Sequence, residues 1–142
     1  MSWLFENKTI EVLPEDCVGF VYVITNNITG RKYIGKKLAK FSRTTYKTVK
    51  LKNGNKKKKK IRGKIESDWQ KYYGSNEQLN KDIAELGSDN FTREILFYCT
   101  SKAACSYIEA REQFNHRVLE SDDYYNGQIV CRIHGSHIKN KI

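Results

Sequence analysis

The sequence predicts an α+β fold, a small mixed or antiparallel β-sheet flanked by helices. Two extended apolar runs, at 18–25 and 90–99, and two stretches with helical periodicity, at 75–86 and from 101 on, carry that prediction. With 142 residues the chain is long enough for one compact core and short for two, so one domain is expected over 1–142.

Residues 18–25, Val-Gly-Phe-Val-Tyr-Val-Ile-Thr, place Phe20, Tyr22 and Ile24 on one face and Val21 and Val23 on the other, the pattern of a strand buried on both sides. Asn26, Asn27, Thr29 and Gly30 supply turn chemistry, and Lys32–Gly35 resumes an extended pattern, so a hairpin follows. A four-residue loop at 26–29 would set Tyr22 opposite Tyr33 on one hairpin face. Residues 36–49, with Leu38, Ala39, Phe41 and Tyr46 scattered among cations, are expected to form a short helix.

A basic insert at about 48–75 begins with the stretch at 50–64, which holds nine Lys or Arg and no acid. Like charges this dense resist packing, which leaves a mobile loop or a basic ribbon turning at Asn53-Gly54. Farther on, Ser75 with Gln78 reads as a capping box, Leu79, Ile83 and Leu86 as an apolar stripe, and Gly87 as a stop. Asn90–Cys99 then reads as a strand, Ser101 as the cap of a helix running to about Glu120, and Gln128–Ile133 as a short last strand.

Charge narrows the function. The chain has 26 Lys and Arg against 16 Asp and Glu, a net charge of +10 and a pI near 9.4, which points to a polyanionic partner, foremost DNA. No apolar run reaches the roughly 20 residues of a spanning helix, and no signal-peptide layout opens the chain, so no membrane partner and a cytoplasmic location are expected. Four scattered cysteines are read as thiols, and Cys131-x-x-His134-x-x-His137 matches no common zinc spacing. The expected nucleic-acid contacts are Lys37, Lys47, Lys56, Lys57, Lys58, Lys59, Lys60 and Arg62. Trp69 and Tyr73 are added as stacking candidates, with packing of the insert onto the domain as the competing role.

On the long helix, Ala104, Tyr107, Ile108, Phe114 and Val118 share one arc at 100° per residue. Glu112 lies beside that arc, and Glu109 is expected to point further toward solvent.

Tyr22, in Phe20-Val21-Tyr22, followed eleven positions later by Tyr33-Ile34-Gly35, resembles the signature of the GIY-YIG nuclease superfamily. Arg43, ten residues past Tyr33, matches the family's catalytic arginine, and Lys36 matches a lysine of the subset similar to excision-repair nucleases. The run at 109–114, Glu-Ala-Arg-Glu-Gln-Phe, resembles the metal-binding helix with Glu112 at the ligand position, and Tyr125-Asn126 resembles the closing asparagine motif. Two departures stand out: Phe20 replaces the first glycine, and Lys47 occupies the position where the family has His or Tyr, with Tyr46 beside it.

The resemblance implies a GIY-YIG-like fold and a metal-dependent DNA endonuclease, similar to small stand-alone bacteriophage enzymes of homing or DNA-degrading type. It implies that Glu112 holds Mg²⁺ or Mn²⁺, with no small-molecule cofactor, and that Tyr22 or Tyr33 aligns and deprotonates the attacking water. It further implies that Arg43, or Arg62 in its place, clamps the phosphate, that Lys36 adds a point charge, and that Asn126 fixes the backbone nearby. A non-catalytic basic nucleic-acid-binding protein is the alternative, and it leaves the ordered tyrosine, arginine and glutamate set unexplained.

Overall fold

The computed structural model describes residues 2–142, and the side chains of Phe41, Ser42, Arg43 and Lys64 lie outside that description. Seven strands are present, β1 (Trp3–Phe5), β2 (Lys8–Ile10), β3 (Gly19–Asn26), β4 (Lys32–Leu38), β5 (Lys40–Lys50), β6 (Lys56–Glu66) and β7 (Phe91–Cys99). Two α-helices, α1 (Glu77–Leu86) and α2 (Lys102–Asn115), complete the α+β architecture, with short 3₁₀ turns between elements.

β1 to β4 and β7 form a five-stranded sheet in the order β2-β1-β7-β3-β4. β1 runs parallel to β7 and the other pairs are antiparallel, so the sheet is mixed. A core lies on each face. Trp3, Phe20, Tyr22, Ile24, Trp69, Leu79 and Ile95 fill one side, and Val21, Ile34, Cys105, Ile108 and Val118 fill the other beneath α2. This is the double burial that the alternating pattern of β3 requires.

The hairpin register differs from the expected one by two residues. Tyr22 pairs with Gly35 and Ile24 with Tyr33, because the loop extends to Arg31, whose carbonyl accepts from Asn26 N at 2.8 Å. A shift of two preserves facing, so both phenols still share a face as diagonal neighbours, with ring centroids 6.2 Å apart. A bulge opposite Val21 and Tyr22 leaves Leu96 of β7 without a partner on β3 and sets the local twist at the tyrosine.

Four expectations are corrected. Residues 36–49 are not helical but continue β4 and form β5, in keeping with the β-branched Thr44, Thr45, Thr48 and Val49. The cap of α1 is Asn76 and not Ser75, its side chain accepting from Leu79 N at 2.9 Å. The long helix stops at Asn115 because Arg117 enters the left-handed region (φ 51°), Val118 N bonds Gln113 O and Arg117 N bonds Phe114 O. That is a Schellman closure in which buried Val118 draws the chain back onto the sheet. Finally, Gln128–Ile133 forms no strand.

β5 and β6 form a separate two-stranded ribbon, turning where Gly54 has φ 83°. It is the basic ribbon that the sequence allowed. Among the described residues, no helix is long and apolar enough to cross a membrane.

Candidate active site at the edge of the sheet

β4 is the edge strand, and its outward-facing backbone groups are met by side chains instead of another full strand. Asn126 Oδ1 accepts from Ile34 N at 3.1 Å, and Asn126 Nδ2 donates to Ile34 O at 2.8 Å. The amide therefore imitates one rung of a β-ladder and is 8% exposed. Gln113 Nε2 of α2 donates to the same Ile34 carbonyl at 2.9 Å. Two residues along, the Lys36 backbone N–H donates to the carboxylate of Glu109.

These contacts frame a groove of about 460 Å³ lined by Tyr33, Ser75, Asn76, Glu77, Glu109, Gln113 and residues 126–128 and 130. The N-terminus of α1 forms one wall and α2 the other. Asn76 ties them together, since its Nδ2 donates to Tyr125 O at 2.9 Å while its Oδ1 caps α1.

The tyrosines occupy different depths. Tyr22 is fully buried between Trp3, Tyr72 and Tyr33, and among the described residues its Oη makes no well-formed hydrogen bond, with the Tyr72 phenol near it. Burial, then the neighbouring Tyr72 and Tyr33, push its pKa well above the ordinary phenol value. Tyr33 lines the groove, with its Oη 3.2 Å from Ser75 Oγ. Burial raises its pKa too, against a lowering contribution from the Ser75 contact. Gly35 explains the third letter of its motif: a Cβ there would lie 2.6 Å from Tyr22 Oη and 2.9 Å from a Tyr33 ring carbon. Only hydrogen leaves both rings their places.

The carboxylates lie differently from the expected placement. Glu109 does not point away to solvent but lines the groove, with burial pushing its pKa up against the lowering effect of Lys36. Glu112 lies outside the lining, held 3.5 Å from Arg111 Nε and 3.5 Å from His116 Nε2. The physical reason is the face of α2. Tyr107 and Phe114 are 39% and 65% exposed, whereas Cys105 and Ala110 are buried, so the buried arc is rotated from the one the apolar residues suggest. Glu109 and Gln113, one turn apart, consequently face the edge of β4 together.

The remaining sequence candidates divide as follows. Lys36 Nζ hydrogen-bonds Ser106 Oγ and lies near Glu109. Lys37 is engaged by Asp68 at 2.6 Å and lies over the Tyr72 ring, so it is no free phosphate contact. Trp69 is 1% exposed and Tyr73 lies beneath Arg93, which assigns both to packing and leaves no open face of Trp69 for a base. Arg43 pairs with Gly63 through the ribbon backbone, but its side chain lies outside the described residues. Arg62, Lys47 and Lys56–Lys60 are exposed on the ribbon. Sequence reasoning missed Glu109, Gln113 and Asn76 as groove residues. The helix spacing of Glu109 and Gln113 was the available signal.

The family model described as "Putative endonuclease segE, GIY-YIG domain" matches residues 3–129. This chain is a member of the SegE GIY-YIG family. A curated protein named putative endonuclease segE, from Enterobacteria phage T4, is 32% identical over 108 residues, covering 75% of this chain. The chain spans 39% of that relative's length. No solved structure matches the chain. The match spans the tyrosine hairpin, the ribbon, both helices and Asn126, so the ribbon lies within the matched region and not beyond it.

Proposed function

We propose that this GIY-YIG family member is a divalent-metal-dependent DNA endonuclease whose site carboxylate is Glu109. The observation that supports this reading is the convergence of Glu109, Tyr33 and Gln113 on one groove that Asn126 pins to the edge of the tyrosine hairpin.

The groove fits a hard cation. Among the described residues no three His, Cys, Asp or Glu side chains converge, so an ion would take the Glu109 carboxylate, amide oxygen and water. Gln113 Oε1 is buried and lacks a hydrogen-bond partner among the described residues, which suits it to that ligand set. A bound Mg²⁺ or Mn²⁺ supplies Lewis-acid stabilisation of the phosphoryl and leaving oxygens.

The protein groups do the rest. Both phenols sit above the ordinary range, so Tyr33 acts first as a hydrogen-bonding group that orients water or phosphate. Tyr22, buried behind it, positions Tyr33 and keeps Gly35 free of a side chain. The Lys36 backbone N–H fixes the orientation of Glu109, and its ammonium favours the carboxylate form. Arg43, or Arg62 in its place, is proposed as the clamp on non-bridging phosphate oxygens. A phage-type homing or DNA-degrading role in a host cytoplasm is consistent with this chemistry.

Plasmid cleavage in Mg²⁺, Mn²⁺ or EDTA, with Glu109→Gln as the control, tests the reading. Metal-dependent nicking or linearisation that is lost in Glu109→Gln supports it. Salt-sensitive binding without cleavage on a panel of DNA sequences and structures supports the non-catalytic binding protein instead.

A further inference from the structure

We propose that the β5–β6 ribbon binds duplex DNA through one face, lying along the major groove with Lys50, Lys56, Lys58, Lys60 and Arg62 toward the nucleic acid. The inference deepens the reading above by assigning how that site's substrate is held.

The register decides the faces. Lys50 pairs with Lys56, Thr48 with Lys58, Tyr46 with Lys60 and Thr44 with Arg62, so these eight residues share one face. It has five cations, two hydroxyls and a tyrosine that is 67% exposed. Over the same outer part of the ribbon, between Thr44–Lys50 and Lys56–Arg62, the opposite face pairs Val49 with Lys57, Lys47 with Lys59 and Thr45 with Ile61, giving three cations interleaved with apolar or β-branched side chains. The two sides of the ribbon are chemically unequal.

The arrangement is costly in isolation. A two-stranded hairpin is marginal in water, and like charges set directly opposite each other destabilise it further. Lys50 faces Lys56 and Lys47 faces Lys59, and no acid occurs between Lys40 and Ile65 to relieve them. A polyanion removes that repulsion. Size points to the same partner: 11 residues at about 3.3 Å each span about 36 Å, close to one turn of B-DNA, and the major groove admits a two-stranded ribbon. The deep, narrow major groove of an RNA duplex does not.

The test compares two triple variants of the full chain that remove the same charge. Lys56→Thr, Lys58→Thr and Lys60→Thr strip the proposed face, and Lys47→Thr, Lys57→Thr and Lys59→Thr strip the other. Binding to a 30-base-pair duplex is measured in EDTA as a function of salt, so the result does not depend on cleavage. The first triple should reduce the slope of log K against log salt by about 2.7, at about 0.9 per phosphate contact, and the second by less than about 1. Gln versions of both triples, monitored for thermal unfolding, should keep that order. Equal losses from the two faces, a larger loss from the second, or equally tight binding to an RNA duplex would overturn the proposal. If the face asymmetry is found and metal-dependent cleavage is not, the ribbon assignment stands and the nuclease reading fails.

Discussion

The groove at the edge of β4 and the β5–β6 ribbon hold opposite chemistry. None of the residues lining the groove is cationic; they supply carboxylates, amides and a phenol. Exposed lysines crowd the ribbon, which lacks any acid between Lys40 and Ile65. The groove is built from β4, the start of α1, α2 and the segment after Tyr125, which hydrogen bonds tie together, whereas the ribbon pairs chiefly with itself. The contrast suits a division of labour, in which the ribbon's positive charge meets a polyanion and a cation-free frame positions the Glu109 carboxylate. Substitutions in the two regions should therefore separate catalysis from affinity.

The sharpest separation comes from Tyr33→Phe, which removes the groove phenol and leaves its ring. Cleavage rate should fall on the order of 10²-fold while the salt slope of binding stays unchanged. Rate loss that follows affinity loss would merge the two regions. Gly35→Ala tests the frame, because its Cβ meets Tyr22 and Tyr33 below 3.0 Å. It should cost about 1–3 kcal/mol, lowering Tm by about 3–10 °C in thermal unfolding, with cleavage reduced as well. Asn126→Ala removes both rungs to Ile34 and should destabilise by about 1–3 kcal/mol in denaturant titration. An Asn126→Ala protein with unchanged stability and activity would show that the amide rung is dispensable.

The smallest effect is electrostatic. Glu109 has a raised pKa in the folded protein, so the native state holds that proton more tightly than the unfolded chain does. Its contribution to stability is present below about pH 4.5 and is lost as pH rises through the raised value. Glu109→Gln should abolish that component of the pH dependence.

Much of this frame was legible in the sequence. Alternation marks β3 and β7, hairpin facing puts the two tyrosines on one side, the lysine run around Asn53-Gly54 is compatible with a ribbon, and Ser101 caps α2 at Ala104. The misses have physical causes. β1 and β2 turn through Glu6 and Asn7, both with positive φ, without the Asn-Gly signal that marks such turns. β5 lacks strict apolar alternation because its side chains from Thr44 to Lys50 face solvent, Val49 alone being half-buried. The end of α2 uses Arg117 where a glycine would have been recognised. The expected orientation of Glu109 differs from the observed one because Tyr107 and Phe114 are apolar yet exposed, while the buried Cys105 and polar Gln113 define the packed face. Hydrophobic periodicity alone could not orient that helix.

One measurement bears most directly on the central claim. Glu109→Gln and Glu112→Gln should be compared side by side in Mg²⁺-dependent plasmid cleavage, with duplex binding measured in EDTA for each. The account predicts cleavage reduced by at least about 10³-fold in Glu109→Gln, on the scale of losing a key transition-state stabilising group. Glu112→Gln should remain within about threefold of the parent, since its exposed partners Arg111 and His116 make a weak surface pair. Both should bind DNA like the parent. Loss of cleavage in Glu112→Gln with activity retained in Glu109→Gln would contradict the account.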